Sequence, residues 1–390
     1  MAEAMQLFRD ITVWPTQGFR LQRATGGPDW PDFAGQVAAR HCRNGVPVDF
    51  APVPAAVGVL ERIARPCVWG GVLVLAFGHL VAERLTRLLT ARRERPDDLY
   101  LFTTQPGWSA ENLRGYVWDL LEWYGLPRAQ VRVLTEPVQV DALRVAPQAE
   151  MLANTGPAPG YLDLIAAHTA AQGLVANPSP RLYVSRAGMV AEGLGGHAGE
   201  AHLVAVLERL GVAVMDPRRV PLRAQLARYA GAGAIMFAEG SALHGRQILG
   251  RLDQDIHVLR RRRGRSVAQG ILRPRSTSLC YHEVLGQSLM GYTPQGKRRP
   301  DHAMAIYDTA ALFQAFAGFG VDLAAGWDDA AYRAAALADI EAWVARRKPG
   351  AGAQAEYRNA LIRADLLPPS LGFSPHRNPV SPGPAPHPEG

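Results

Sequence analysis

The sequence predicts an α/β protein built from two doubly wound domains, each with a mainly parallel sheet. Short apolar strands alternate with amphipathic helices along most of the chain, which is typical of βαβ units. The alternation runs in two separate series. Loop-forming residues at 153–160, ANTGPAPG, and at 177–180, NPSP, stand between the two series. Ligands of such sheets bind beyond the carboxyl ends of the strands, so we expect a site in the cleft between the two halves.

The first series begins after about 65 residues rich in Pro, Gly and Arg, where periodicity is weak and no element is predicted. Apolar runs indicate the strands, and apolar residues at helical spacing indicate the helices. The predicted elements are strand 72–78, helix 79–93, strand 99–104, helix 112–124, strands 131–135 and 138–145, and helix 161–174.

The second series repeats this alternation. Its elements are strand 181–185, helix 199–210, strand 212–216, helix 222–230, strand 234–237, helix 241–252 and strand 255–259. The segment 350–390 is rich in Pro and Gly, and we predict that it is disordered. The predicted domains are therefore 1–160 and 175–345, followed by this tail.

Composition narrows the class of protein. The chain has 390 residues, 48% of them hydrophobic, which is enough for two domains with a large core. Its three cysteines are far apart, which argues against a disulfide framework or a zinc site. No apolar run reaches the roughly 18–20 residues of a membrane span, and no secretory signal is visible, so we expect a cytoplasmic protein. The net charge of +7 leaves peripheral contact with the inner membrane open.

The segment 234–244, AIMFAEGSALH, combines a predicted strand, a Gly-Ser turn and a helix start. Ser241 and His244 suggest a nucleophile and its base, but a nucleophile elbow needs Gly-x-Ser-x-Gly, and Leu243 replaces the second glycine. A helix start after a strand is instead suited to binding an anion through backbone N–H groups. The alternative is a plain turn in which Ser241 caps the helix.

His79 and Glu83 lie one helical turn apart after the first predicted strand. Such a pair provides a general base and a group that orients it, and the sequence does not decide which residue takes which role. No third or fourth ligand stands nearby at a recognisable spacing, so we expect no metal. The alternative is a polar stripe on a half-buried helix.

Three further segments carry glycine or arginine. Arg186 follows a predicted strand, where its guanidinium suits a phosphate, although a surface arginine explains it equally well. The glycines of 193–199 do not fit the dinucleotide fingerprint and predict a flexible loop. The basic run 260–265, RRRRGR, is typical of a contact with nucleic acid, phosphorylated lipid or acidic polysaccharide, or of a solvated loop. Aromatic residues do not interleave it, so no nucleic-acid partner is expected.

Several of these segments follow one pattern in chain order. They are RLYVSR at 181–186, Glu200, LGVAVMDP at 210–217, Gln225 and the 234–244 segment, preceded by GHLVAERLTR at 78–87. In this order and spacing, they resemble glycosyltransferase family 61, whose bacterial branch is associated with capsular polysaccharide biosynthesis. The resemblance covers about residues 68–260.

The resemblance implies a GT-B fold of two Rossmann-like halves and an inverting, metal-independent transfer without a cofactor. The donor would be a nucleotide-diphosphate sugar, by family default a uridine diphosphate sugar, and the acceptor a hydroxyl of a glycan or lipid-linked glycan. Glu83 or His79 would be catalytic. Donor contacts would come from Arg186, Glu239, Gly240, Ser241, Ala242 and His244. The alternative is a catalytically inactive nucleotide- or glycan-binding protein of the same fold. The sugar, the acceptor and the oligomeric state stay open.

Overall fold

The structure is a computed structural model that describes residues 4–20, 23–56, 58–151, 156–190, 192–293, 296–347 and 350–366. The strands are β1 (Gln6–Arg20), β2 (Arg23–Pro28), β3 (Cys42–Arg43), β4 (Val46–Pro47), β5 (Glu61–Ile63), β6 (Cys67–Leu73), β7 (Leu99–Thr104), β8 (Val131–Val133), β9 (Val138–Val145), β10 (Ser179–Val184), β11 (Ala213–Met215), β12 (Ala232–Ala238), β13 (Asp255–Leu259), β14 (Ser278–His282), β15 (Leu285–Tyr292) and β16 (Arg298–Tyr307).

The α-helices are α1 (Phe77–His79), α2 (Leu88–Glu94), α3 (Gly115–Trp123), α4 (Tyr161–Ala171), α5 (Ala187–Val190), α6 (Glu200–Arg209), α7 (Leu222–Gly231), α8 (Leu243–Gln247), α9 (Gln269–Leu272), α10 (Thr309–Gly318), α11 (Asp329–Arg347) and α12 (Ala351–Arg363). A π-helical turn, Leu80–Arg84, follows α1 directly.

The chain forms two compact units. The first unit comprises Met1–Ser185, Leu207–Arg260 and Gly264–His282, and the second comprises Arg186–Val206, Arg261–Arg263 and Glu283–Gly390. The predicted domains, 1–160 and 175–345, would separate the two sheets, whereas the first unit contains both of them. The physical reason is a continuous core, in which fully buried Phe102 and Val140 of one sheet belong to the same hydrophobic cluster as Ile235 and Val258 of the other.

Two main sheets with helical connections, together with the short antiparallel pair β3–β4, lie in the first unit, which confirms the α/β class. The larger sheet has the order β2-β1-β9-β6-β7-β8, with β5 beside β9. Its strands β5 to β9 pair in parallel, while β1 pairs antiparallel with both β2 and β9. The smaller sheet has the order β11-β10-β12-β13-β14, and all its neighbours are parallel.

The burial of the strands explains which of them the sequence predicts correctly and which it does not. Every residue of β7 is buried, as expected for a central parallel strand, and its bounds match the prediction. The strand predicted at 72–78 is β6, which lies five residues earlier, at Cys67–Leu73. β1 was missed because Arg9, Asp10 and Pro15 interrupt its apolar alternation. Its inward residues nevertheless pair with β9, as Ile11 does with Val140.

The second unit contains the antiparallel pair β15–β16 and the helices α10 to α12. The segment 350–390 was predicted to be disordered, and this is wrong for its beginning, where α12 forms. Tyr357 and Leu361 are fully buried, and the Tyr357 ring lies 5.4 Å from that of Trp343 in α11, so these apolar side chains hold the helix in place. The remainder, 367–390, lies outside the described residues.

The Gly193–Gly199 segment also lies in the second unit, and it is packed rather than flexible. The Ala305 N–H donates to the Gly196 carbonyl over 2.9 Å, and the Ala198 N–H donates to the Ala305 carbonyl over 2.8 Å. A Cβ at Gly195 would lie 2.5 Å from the Ala303 carbonyl oxygen. The glycines therefore permit close backbone packing against β16, which the sequence pattern could not distinguish from a mobile loop.

Candidate functional site

The site begins beyond the carboxyl end of β6, where one helix was predicted over 79–93. The chain instead forms α1, the π-helical turn and α2, and the Leu85 N–H closes the turn on the Leu80 carbonyl over 3.0 Å. Turns of this type are rare and often occur at functional sites. Here the turn carries Glu83, while His79 ends α1.

The carboxylate of Glu83 is fully buried and accepts hydrogen bonds from three side chains. His79 Nδ1 lies 2.6 Å from Oε1, and His41 Nε2 lies 3.1 Å from Oε2. Arg43 forms a fork, with Nε 2.6 Å from Oε2 and Nη2 2.8 Å from Oε1. His79 and Glu83 are thus in contact, as their spacing predicts. His41 and Arg43 were missed, because they come from a segment without periodicity.

These partners decide what Glu83 can do chemically. Burial alone would raise the pKa of the Glu83 carboxyl, but the hydrogen bonds from His41, His79 and Arg43 hold it well below its usual value. An ionised carboxylate paired with a guanidinium is a poor proton acceptor. It instead fixes the Nδ1–H tautomer of His79, whose Nε2 then carries a lone pair. The His79 side chain is 34% exposed, so this nitrogen can meet a substrate.

His244, in α8, is oriented in a similar way. Its Nδ1 lies 3.1 Å from Gln247 Oε1, and the Gln247 amide nitrogen donates to Glu150 Oε2 over 3.0 Å. Because the amide nitrogen is engaged, the amide oxygen faces His244, and Nδ1 carries the proton. Burial lowers the pKa of His244 to about 4, so the ring is neutral at neutral pH and its Nε2 is a hydrogen-bond acceptor.

A buried ion pair supports Gln247 from behind. Arg275 Nη1 lies 2.6 Å from Glu150 Oε1, and Nη2 lies 2.7 Å from Oε2, with both side chains almost inaccessible to solvent. The bidentate geometry fixes the carboxylate that in turn fixes Gln247. Sequence reasoning missed these three residues, because 125 positions separate Glu150 from Arg275.

The His79 segment and the Ser241–His244 turn lie against each other within the first unit. A Cβ placed on Gly78 would lie 3.0 Å from His244 Cδ2 and 3.2 Å from Ser241 Cβ. A side chain at this position would require its neighbours to shift by a few tenths of an ångström. The structure thus brings together most of the residues that the sequence singled out in the two halves, as carboxyl-end segments of parallel strands are expected to do.

The turn itself differs from the prediction. The helix predicted at 241–252 is the five-residue α8, and Ala242, not Ser241, occupies its N-cap position without a side-chain cap bond. The N–H groups of Leu243, His244 and Gly245 already donate to the carbonyls of the preceding turn. The first helical amides are therefore engaged locally, and anion binding by this turn stays a prediction.

The amides just before α8 are different. Within the described ranges, the N–H groups of Gly240, Ser241 and Ala242 donate to no protein acceptor. Ser241 is exposed, and Gly240 and Ala242 are half-buried. Glu239 is fully buried, and its N–H donates to the Leu259 carbonyl over 3.1 Å, which ties the start of the turn to β13.

Arg186 belongs to the second unit. Its backbone N–H donates to the Glu200 carboxylate over 2.7 Å, and its Nε donates to the Gly195 carbonyl over 2.6 Å. The guanidinium is thus oriented by the packed glycine segment. Its predicted contact with the donor stays a prediction.

The basic run 260–265 is partly structural. Arg261 is buried and donates to the Ala303 carbonyl over 2.8 Å, and Arg263 donates to the Leu285 carbonyl over 3.1 Å. The Arg260 guanidinium lies 5.2 Å from the centre of the Tyr281 ring. These three arginines therefore hold local structure, and the run is not a uniformly solvated loop.

In the part of the chain that the structure describes, no group of three or more His, Cys, Asp or Glu side chains could hold a metal ion. No helix within the same ranges is long and apolar enough to cross a membrane. Comparison with protein-family models returned no match, and comparison with curated proteins found no similar sequence.

Proposed function

We propose that the protein is an inverting, metal-independent glycosyltransferase that uses a nucleotide-diphosphate sugar and a hydroxyl acceptor, with its halves arranged as in a GT-B fold. The observation that supports this most is the contact between the His79–Glu83 pair and the 240–244 turn at Gly78. It supports the proposal because such a transfer requires two functions, a base with an orienting carboxylate and backbone donors for the leaving group, and the two segments in contact can supply one each.

In this proposal His79 is the base and Glu83 is a positioning residue. The acceptor hydroxyl oxygen attacks the anomeric carbon from the face opposite the leaving group, and its proton passes to His79 Nε2. The bond between the anomeric carbon and the phosphate oxygen breaks, and its electrons leave with the nucleoside diphosphate. The Glu83 carboxylate, 2.6 Å from Nδ1, stabilises the imidazolium that forms.

The donor diphosphate accepts hydrogen bonds from the N–H groups of Gly240, Ser241 and Ala242 in this scheme. His244 contacts the sugar of the donor rather than its phosphates in this proposal, since a neutral ring whose Nδ1–H faces Gln247 offers no proton to a phosphate. Its Nε2 accepts a hydrogen bond from a sugar hydroxyl instead. Such an acceptor confers specificity, because substrates lacking the hydroxyl leave it unsatisfied.

The test is a double-mutant cycle with His79→Gln and Glu83→Gln, measured as nucleoside diphosphate release from uridine diphosphate sugars. Each single variant should lose about 10²–10⁴-fold in kcat. The double variant should be no slower than His79→Gln alone, because Glu83 acts through His79. His168→Gln is the matched control, since His168 is half-buried and its Nε2 donates to the Trp123 carbonyl over 2.6 Å. Multiplicative losses, or a fully active His79→Gln, would contradict the assignment.

Thermal unfolding in the presence of nucleotides separates this function from that of an inactive binding protein. A ligand at 100 times its Kd contributes about 2.7 kcal/mol to the free energy of unfolding. If a nucleoside diphosphate stabilises the protein but no donor is turned over with any acceptor of a broad panel, the protein is an inactive binding protein rather than an enzyme.

A further inference from the structure

A small cavity in the first unit has a volume of about 30 Å³ and lies apart from the 240–244 turn. Its apolar walls come from β2, β6 and Trp30. Its polar wall consists of Arg40, His41, Asp49, Arg84 and Arg87. Such a concentration of ionisable groups around an interior space needs a physical explanation, because buried charges are costly unless they are compensated.

The charges around this cavity do not balance. The three arginines are buried, with exposed fractions of 9% for Arg40 and 3% for Arg84 and Arg87. Burial lowers the pKa of His41 to about 4, so this ring is neutral. The described side chains that line the cavity therefore carry three positive charges and one negative charge, on Asp49, which lies 2.9 Å from Arg40. Arg84 is also attracted to the nearby Glu83 carboxylate, so the excess positive charge centres on Arg87.

Arg87 shows how the protein holds this excess charge. Its Nη1 donates to the Ala39 carbonyl over 3.1 Å, and its Nη2 donates to the Arg40 carbonyl over 3.2 Å. Carbonyl dipoles satisfy N–H groups but supply no net negative charge. Burial lowers the pKa of Arg87 to about 10, which indicates that these surroundings disfavour the charged form. A bound anion would remove this penalty.

We propose that the cavity binds the carboxylate group of a small organic anion. A water molecule needs at least about 10–15 Å³, so a volume of about 30 Å³ accommodates two water-sized groups, which matches the two oxygens of a carboxylate. Planar guanidinium groups also bind a planar carboxylate with two parallel hydrogen bonds. The four tetrahedral oxygens of a phosphate match this small volume less well than the two of a carboxylate. The proposal rests on no part of the glycosyltransferase mechanism.

The test is thermal unfolding of the full chain at pH 7.5 with increasing sodium formate, at constant ionic strength maintained with the bulky sulfonate of HEPES. We expect a saturable rise in Tm with formate that chloride does not reproduce. Asp49→Asn removes the negative charge from the cavity and should tighten formate binding about fivefold. Asp163→Asn, at a 74%-exposed carboxylate paired with Arg251, is the matched control and should leave formate binding unchanged.

Arg87→Met should abolish the dependence on formate. If this variant does not fold, the Asp49→Asn result decides, because that change leaves the arginines in place. A Tm that rises no more with formate than with the sulfonate would overturn the proposal. So would equal stabilisation by chloride, which would show charge compensation alone, or weaker formate binding by Asp49→Asn.

Discussion

Replacing Gly78 with alanine tests whether the two predicted segments are in contact. The added Cβ would lie 3.0 Å from His244 Cδ2, which is 0.4 Å less than the 3.4 Å at which ordinary contacts begin. His244 cannot swing away freely, because Gln247 holds its Nδ1. Overpacking of this kind costs about 1–3 kcal/mol, while alanine regains up to about 1 kcal/mol over glycine in a helix. We therefore expect Gly78→Ala to lose about 1–2 kcal/mol in the free energy of unfolding.

The measurement is urea unfolding of Gly78→Ala, with Gly115→Ala as the control variant. Gly115 also lies in a helix, but an added Cβ there meets no atom within 4 Å, so alanine should stabilise the protein by about 0.5 kcal/mol. If both variants gained stability to the same extent, α1 and the Ser241–His244 turn would not be packed as described.

Three further predictions concern stability and are measured by urea unfolding. Ser241→Ala should lower the free energy of unfolding by less than about 0.5 kcal/mol, because Ser241 caps no helix. Asp308→Ala should lower it by about 1 kcal/mol, because the Asp308 side chain caps α10 by accepting from the Ala311 N–H. Equal losses would contradict the turn geometry. Arg275→Met should cost about 3–5 kcal/mol by leaving Glu150 charged and buried, and a loss below 1 kcal/mol would mean that the pair is hydrated. The pKa of His244 is about 4 in the folded protein and about 6.5 in the unfolded chain, so lowering the pH favours unfolding. Replacing His244 with Asn should reduce the loss in the free energy of unfolding between pH 7 and pH 5 by about 2 kcal/mol. An unchanged loss would show that the ring is not desolvated.

Central strands were predicted most accurately from the sequence. β7, β9 and β13 have the predicted bounds. β7 is buried over its whole length between parallel neighbours, whereas β9 alternates between buried and half-buried residues. Helices near the site were overextended. Leu243 to Leu252 carries apolar residues at helical spacing, yet α8 ends at Gln247. The close approach of Gly245 to the Tyr229 ring, where a Cβ would lie 3.2 Å away, is a tertiary constraint that periodicity does not show.

The partners of the site residues could not be predicted. The contact of His79 with Glu83 is local, so its spacing was sufficient. Arg43 lies on the two-residue strand β3, 40 positions away in the sequence, and contacts the same carboxylate. No local sequence pattern predicts such a pairing. The roles proposed for the two residues also depend on such partners, because the hydrogen bonds from His41, His79 and Arg43 together hold the pKa of Glu83 well below its usual value.

NMR of the histidine side chains during titration with a uridine diphosphate sugar tests the central claim most directly. The protein would carry ¹⁵N-labelled imidazoles, assigned through His79→Gln and His244→Asn. We predict that both rings are Nδ1–H tautomers and that the Nε2 resonance of His244, which accepts from a sugar hydroxyl in the proposed site, shifts as the donor binds, while the His168 resonances stay unchanged. Saturable donor binding that leaves His244 unperturbed would place the ligand elsewhere and contradict the proposed site.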